Sequence, residues 1–162
     1  MTKIGKPAVE RVHPPDRLMR IVNPVTRWLV RRGGKIGDAV LVLHYEGRKS
    51  GRSYDVPCGY HWIEGQLCLL TNSSWRHNFR DGHSCEVTRS GDRQSGYGTL
   101  VDDPDEVARI YADQIEELGL KQSQRRLGVR INVDRTPTRE ELISAIRRSG
   151  LSIVRIELNP AS

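Results

Sequence analysis

Between Asp38 and Val101 short apolar or alternating runs, rich in valine, are interrupted by turn residues at short intervals. Side chains two apart share a face when the chain is extended, so these runs read as strands. "DAVLVLHY" is almost continuously apolar, as in a strand buried on both faces. "SYDVPCGYHW" alternates like one strand. Tyr54, Val56, Cys58, Tyr60 and Trp62 fall on one face, and Ser53, Asp55, Pro57, Gly59 and His61 on the other, surface face. Glu64–Gly65 makes a tight turn into "QLCLLTN". After a break at "SSWRHNFRDG" come "SCEVTR" and "RQSGYGTLV", joined at "SGD". Strands this close, mostly linked by hairpins, predict an antiparallel sheet or barrel.

Helical text flanks the strands. Residues 1–15, with Pro7, Pro14 and Pro15, read as a flexible N-terminal arm, and residues 16–162 as a single domain. Leu18, Ile21, Val22, Val25, Trp28 and Leu29 recur at helical spacing, with a kink expected at Pro24 and an end at Gly33–Gly34. This helix carries Arg17, Arg20, Arg27, Arg31 and Arg32. Docking on the sheet through Trp28 and peripheral contact with an anionic membrane are both open to it. A second helix starts with Asp103 as cap and Pro104 in its first turn, and should stop at Gly119. The basic stretch Lys121–Arg135 reads as a long loop, either solvated or a lid. Thr138 and Glu141 form a capping box for "REELISAIRR", and "LSIVRIEL" is a last strand.

Composition narrows the function classes. Of 162 residues, 26 are basic and 20 acidic, giving a net charge of +6 that favours an anionic partner. Aromatic residues are only 6% and the cations are dispersed, which argues against a nucleic-acid platform. No apolar run approaches the roughly 18 residues that span a bilayer, and no apolar signal core opens the chain, so a cytoplasmic protein is expected, with membrane association left to the first helix. Cys58, Cys68 and Cys85 form no CxxC, and the five histidines show no ligand spacing, so buried reduced thiols and no metal are expected.

One connection carries unusual chemistry. "GRKSGR", Gly47–Arg52, places two arginines, a lysine, a serine and two glycines on a hairpin turn. Glycine backbone lets an anion approach, arginine offers a planar fork and lysine a mobile point charge. The GxxxxGK[ST] spacing of a P-loop is absent. From chemistry alone, an anion site and a solvated turn both remain open.

The wider pattern resembles the deazaflavin-dependent nitroreductase family. Members read GRKSG, a proline-leucine pair, a serine-containing turn and W-x-x-N-L. The counterparts here are Gly47–Gly51 with Arg52, Val56–Pro57, Thr71–Ser74, and Trp75, Asn78 and Phe79, and the resemblance runs from about Asn23 to Leu158. It implies a split β-barrel of the kind that also binds FMN and pyridoxine phosphate: mainly antiparallel β with flanking helices. It implies an F420-dependent oxidoreductase transferring hydride between the coenzyme and a small organic acceptor such as a quinone, an enone or a nitro compound. The alternative is a non-enzymatic carrier of F420, flavin or a lipid on the same scaffold. Arg48, Lys49, Ser50, Gly51 and Arg52 would hold the coenzyme's phosphate and acidic tail. Val56 and Pro57 would line the ring, Thr71, Asn72 and Ser73 would meet its head group, and Trp75, Asn78 and Phe79 would close the pocket. FMN is the alternative cofactor, and a homodimer is compatible with such barrels. The turn "TNSSW" lacks the family's glycine pair and proline, and the late catalytic tyrosines have no counterpart.

Other residues have two readings each. Tyr60 packs in the core or faces the ring as a proton donor, and His44 faces the barrel mouth or contacts a ligand. His77 and His83 are loop histidines or proton donors. Trp75 either plugs the barrel end or walls the cofactor site.

Overall fold

The valine-rich run after Asp38 forms the strand on which the sheet is assembled. The structure, a computed structural model, describes residues 6–11 and 40–160. In chain order its elements are β1 (Val9–Arg11), β2 (Val40–Glu46), β3 (Ser53–Gly59), β4 (His61–Ile63) and β5 (Gln66–Thr71). A 3-10 turn (Ser74–Phe79), β6 (His83–Arg89) and β7 (Asp92–Val101) follow. The remainder is α1 (Pro104–Leu127), β8 (Val129–Ile131), α2 (Arg139–Ser149) and β9 (Ser152–Leu158). Two compact units divide the described chain: residues 40–100 with 153–160, and residues 6–11 with 101–152. The first helix expected from the sequence, with Trp28 and its arginines, lies outside the described residues.

The first unit is a seven-stranded sheet in the order β3-β2-β6-β7-β9-β5-β4. β2 pairs antiparallel with β3 and with β6, β6 with β7, and β4 with β5. The sheet curls until β3 approaches β5, which makes the fold a split barrel, mainly antiparallel β. The period-two pattern explains its interior. Leu41, Leu43 and Tyr45 of β2 pack with Leu67 and Leu69 of β5, Cys85 and Val87 of β6, and Val154 and Ile156 of β9, with Phe79 among them. Each such side chain contributes roughly 1.5–3 kcal/mol when it leaves water.

Alternation fails at one place. "SYDVPCGYHW" is two strands rather than one, because the ladder breaks at Tyr60. Tyr60 and His61 are consecutive and both buried, so the side-chain parity shifts by one beyond the break. Trp62, expected on the apolar face, is 51% exposed, and His61, expected at the surface, is buried. The Arg89 guanidinium stacks over both Trp62 and Tyr60, 5.0 and 5.7 Å from the ring centroids.

The second unit holds both helices. Asp103 caps α1 by accepting from the Glu106 N–H, with Pro104 in the first turn. A first helical segment ends at Gly119 as expected, where the backbone leaves the helical region (φ 79°, ψ 163°). A second segment then runs to Leu127 and β8 follows, so most of the stretch expected as a loop or lid is helix and strand. The basic residues that suggested a loop occupy the solvent side of a helix whose Ser123 and Leu127 are buried. β8 pairs antiparallel with β1, which lies in the segment read as an arm. The Arg11 guanidinium donates to the Leu127 and Gly128 carbonyls, and that of Arg148 to the Val9 carbonyl. Thr138 and Glu141 form the expected capping box, and Arg135 clasps Glu141 through both its terminal nitrogens, at 2.8 and 2.9 Å. The hydrogen bond from Arg135, aided by the Thr138 N–H, lowers the Glu141 carboxyl to about 2. Among the described residues no helix is long and apolar enough to cross a membrane.

Two measurements test these assignments. Leu43→Ala, at a fully buried site, should cost about 2–5 kcal/mol in urea unfolding, whereas an exposed-site value below 1 kcal/mol would misplace the core. Because Glu141 titrates lower in the folded chain than in the unfolded one, its contribution is complete above the ordinary carboxylate range and fades as pH falls towards 2. Glu141→Gln should therefore flatten the acid limb of the stability profile, and an unchanged limb would show that the clasp does not form in solution.

Candidate functional site

The "GRKSGR" connection closes on itself. The Gly47 N–H donates to the Arg52 carbonyl and the Gly51 N–H to the Gly47 carbonyl, each at 2.8 Å. The Ser50 hydroxyl accepts from the Arg52 N–H and lies 3.3 Å from the Tyr54 hydroxyl. Gly47 permits this closure. A Cβ there would sit 2.7 Å from Ser50 Oγ and 2.9 Å from the Tyr54 ring. Tyr54 stacks on Tyr45 with ring centroids 5.4 Å apart. Burial and the neighbouring Tyr54 hold the Tyr45 phenol above its ordinary value.

The other side of the site is the 3-10 turn. Phe79 is fully buried and meets Tyr45 and Trp75 edge-on at 5.5 and 5.9 Å. It fits because residue 98 is glycine: a Cβ there would lie 2.6 Å from the Phe79 ring. The entrance to the turn is tied down by Arg76, which donates to the Asn72 and Ser73 carbonyls at 2.7 and 2.9 Å. The Ser73 N–H donates to Thr71 Oγ1. Two further bonds join turn and hairpin. The Arg48 N–H donates to Asn78 Oδ1 at 3.0 Å, and the Arg48 guanidinium donates to the Gly82 carbonyl.

Between hairpin and turn lies a groove of about 800 Å3. Tyr45, Tyr54, Val56 and Trp75 give it apolar and aromatic walls, while Arg48, Lys49, His77 and Arg80 supply cations. Ser50, Ser74 and Asn78 add polar groups. The volume suits a cofactor-sized ligand, and the wall and rim suit one that is flat at one end and anionic at the other.

A second groove, of about 460 Å3, is lined by His44, Asp55, Glu86 and Arg93 and shares Tyr45 and Tyr54 with the first. The His44 ring donates from Nδ1 to Asp55 Oδ1 at 2.6 Å, and its Nε2 lies 2.7 Å from Thr88 Oγ1. His44 thereby bridges β3 and β6 across β2. His83 Nε2 donates to the Glu46 carbonyl at 2.7 Å. Cys68 and Cys85 are buried and Cys58 half-buried, all as free thiols. Burial pushes Cys58 up to about 12 and Cys85 to about 11, so both stay protonated at neutral pH.

The structure sorts the residues that the sequence singled out. Arg48, Lys49, Ser50, Val56, Trp75 and Asn78 line the first groove together. Gly51, Arg52, Pro57, Thr71, Asn72, Ser73 and Phe79 are not among its lining residues. Gly51 and Arg52 close the loop, Thr71, Asn72 and Ser73 stand at the entrance to the turn, Phe79 lies in the core, and Pro57 pairs with Val42 in the sheet. His44 lines the second groove, and Tyr60 packs in the barrel interior. Sequence reasoning missed Tyr45, Tyr54 and Arg80 as lining residues and read His77 as a loop histidine or a proton donor. Tyr54 was detectable: it shares strand parity with Val56, two residues beyond the loop. Arg80 gave no such signal, because a short irregular turn has no period to read.

No family model matches the chain, and no match to it was found among curated proteins. Among solved structures, a conserved hypothetical protein, Rv2991 from Mycobacterium tuberculosis, is 16% identical, with 96% of this chain and 87% of that one covered and a TM-score of 0.45. A domain-swapped dimer is 12% identical over 90% of this chain and all of the other, with a TM-score of 0.45. An F420 reductase is 12% identical, with 83% and 93% covered and a TM-score of 0.39.

The seating of Phe79 is open to a direct check. Gly98→Ala should overpack that contact and lower stability by about 1–3 kcal/mol, with a red shift of tryptophan emission as Trp75 loses its support. Wild-type stability and emission would show that the turn does not depend on this contact.

Proposed function

We propose that the chain is an oxidoreductase of hydride-transfer type, using the deazaflavin coenzyme F420, with FMN as the alternative, bound in the groove between hairpin and 3-10 turn. The observation that carries this reading is the meeting of the Tyr54–Val56–Trp75 wall with the Lys49 and Arg80 cations in one groove. A phosphate-bearing flat coenzyme requires both. The resemblance of "GRKSGR", "VP" and "WRHNF" to the deazaflavin-dependent family supports the same reading.

When bound, such a coenzyme supplies or accepts a hydride at its ring. The chain's own residues provide position and shielding. Trp75 and Tyr54 offer aromatic faces for the ring, and Val56 keeps water from its edge. The hairpin cations and the Ser50 hydroxyl hold the anionic end. The Tyr54 and Ser50 hydroxyls, 3.3 Å apart, form a short chain that can pass a proton from solvent to an acceptor in the groove. Tyr54 is 39% exposed, so its hydroxyl is within reach of solvent. Quinones, enones and nitro compounds are the acceptor classes such a site accommodates.

Titration of the purified full chain into F420 and, side by side, into FMN tests the reading. A saturable change in coenzyme fluorescence at micromolar concentrations is expected for one of them, followed by oxidation of the reduced coenzyme when an acceptor is added. No change with either coenzyme at high micromolar concentration would overturn it. Binding without turnover across the three acceptor classes would make the chain a carrier.

A further inference from the structure

We infer that the anion in this groove is gripped from two sides, by the Lys49 ammonium on the hairpin and by the Arg80 guanidinium at the exit of the 3-10 turn. Arg48 is then the positioning residue that fixes their spacing. This rests on the proposed function in that the anion is taken to be the coenzyme's phosphate, but the grip itself is a property of the residues.

The geometry divides the cations by task. Arg76 is turned back on the Asn72 and Ser73 carbonyls, where it secures the entrance to the turn. Arg52 contributes backbone groups to the loop closure and does not line the groove. Arg48 spends its N–H on Asn78 and its guanidinium on the Gly82 carbonyl, so it bonds the turn at both ends of the Asn78–Gly82 stretch. Lys49 follows Arg48 on one wall, and Arg80 lies between Asn78 and Gly82 on the other. Both are exposed residues that line the same groove. The Arg80 guanidinium donates to His77 Nδ1 at 3.4 Å, a contact that orients it along that wall. A phosphate between them would meet a point charge from one side and a planar fork from the other. Since Arg48 holds the two walls together, its loss should act through Arg80.

The test uses the full chain and four probes: F420, FMN, riboflavin (which lacks the phosphate) and inorganic pyrophosphate. Lys49→Gln and Arg80→Gln should each weaken the phosphorylated coenzyme about tenfold or more, and shallow its salt dependence, with riboflavin unaffected. Arg48→Lys keeps the charge but loses the fork. It should weaken the phosphorylated coenzyme in the wild-type background and have no further effect in the Arg80→Gln background, a non-additivity that a merely structural loss does not produce. Pyrophosphate should raise the melting temperature of the wild type and not of Arg80→Gln. Wild-type coenzyme affinity in Arg80→Gln would overturn the grip while leaving the proposed function standing. Equal weakening of FMN and riboflavin would overturn it too, by showing a general distortion. Pyrophosphate protection that depends on Arg80, with neither coenzyme bound, would keep the grip and discard the coenzyme. Binding of neither coenzyme nor pyrophosphate would overturn both.

Discussion

The candidate site depends on how one ring is seated. Phe79 ends a six-residue 3-10 turn that is too short to hold itself by backbone bonding alone. Its side chain is fully buried against Tyr45, Trp75 and the bare backbone at Gly98. With that anchor fixed, the other faces of the turn are set. Asn78 meets the hairpin N–H, and Trp75, His77 and Arg80 reach the groove. An exposed loop is thus held in register by a core contact.

The hairpin obeys the same logic at smaller scale. Its tip combines a backbone closure at Gly47, a Ser50–Tyr54 hydroxyl contact and a stacked tyrosine pair. These leave the loop few conformations to lose, which would lower the cost of binding any ligand there. Groups already bonded within the loop are not obliged to rearrange, so recognition falls to side chains that project from a fixed frame. Arg48 is part of that frame rather than only a charge on its surface.

Much of this was legible in the residues. Short apolar and alternating runs between turn residues located β2, β3, β5, β6, β7 and β9, and the caps at Asp103 and Thr138 located both helix starts. The "GRKSGR" tip was conspicuous for its cations and glycines, but its residue types alone left a solvated turn as open as an anion site. What escaped had physical causes. The parity shift at Tyr60 reflects a break in a ladder, which no local pattern encodes. Leu120–Leu127 looked like loop because a glycine and a run of polar residues mask the burial of Ser123 and Leu127. Arg80 and Tyr45 enter the site only through tertiary placement, and the bond from Arg48 to Gly82 joins residues too far apart in sequence to be read together.

The strand order has a consequence for how the molecule is made. β9 lies between β7 and β5, yet in the chain it comes after the whole helical unit. On a ribosome, β2 to β7 emerge well before the strand that joins their two halves. Until it arrives, β7 and β5 each present an unpaired edge, and the interior lacks Val154 and Ile156. Pairing so distant in sequence is slow, so the nascent sheet waits with exposed edges. The groove shares this timing, since Gly98, beneath Phe79, also abuts Val154. A chain interrupted before β9 would therefore be a sticky intermediate rather than a smaller folded barrel.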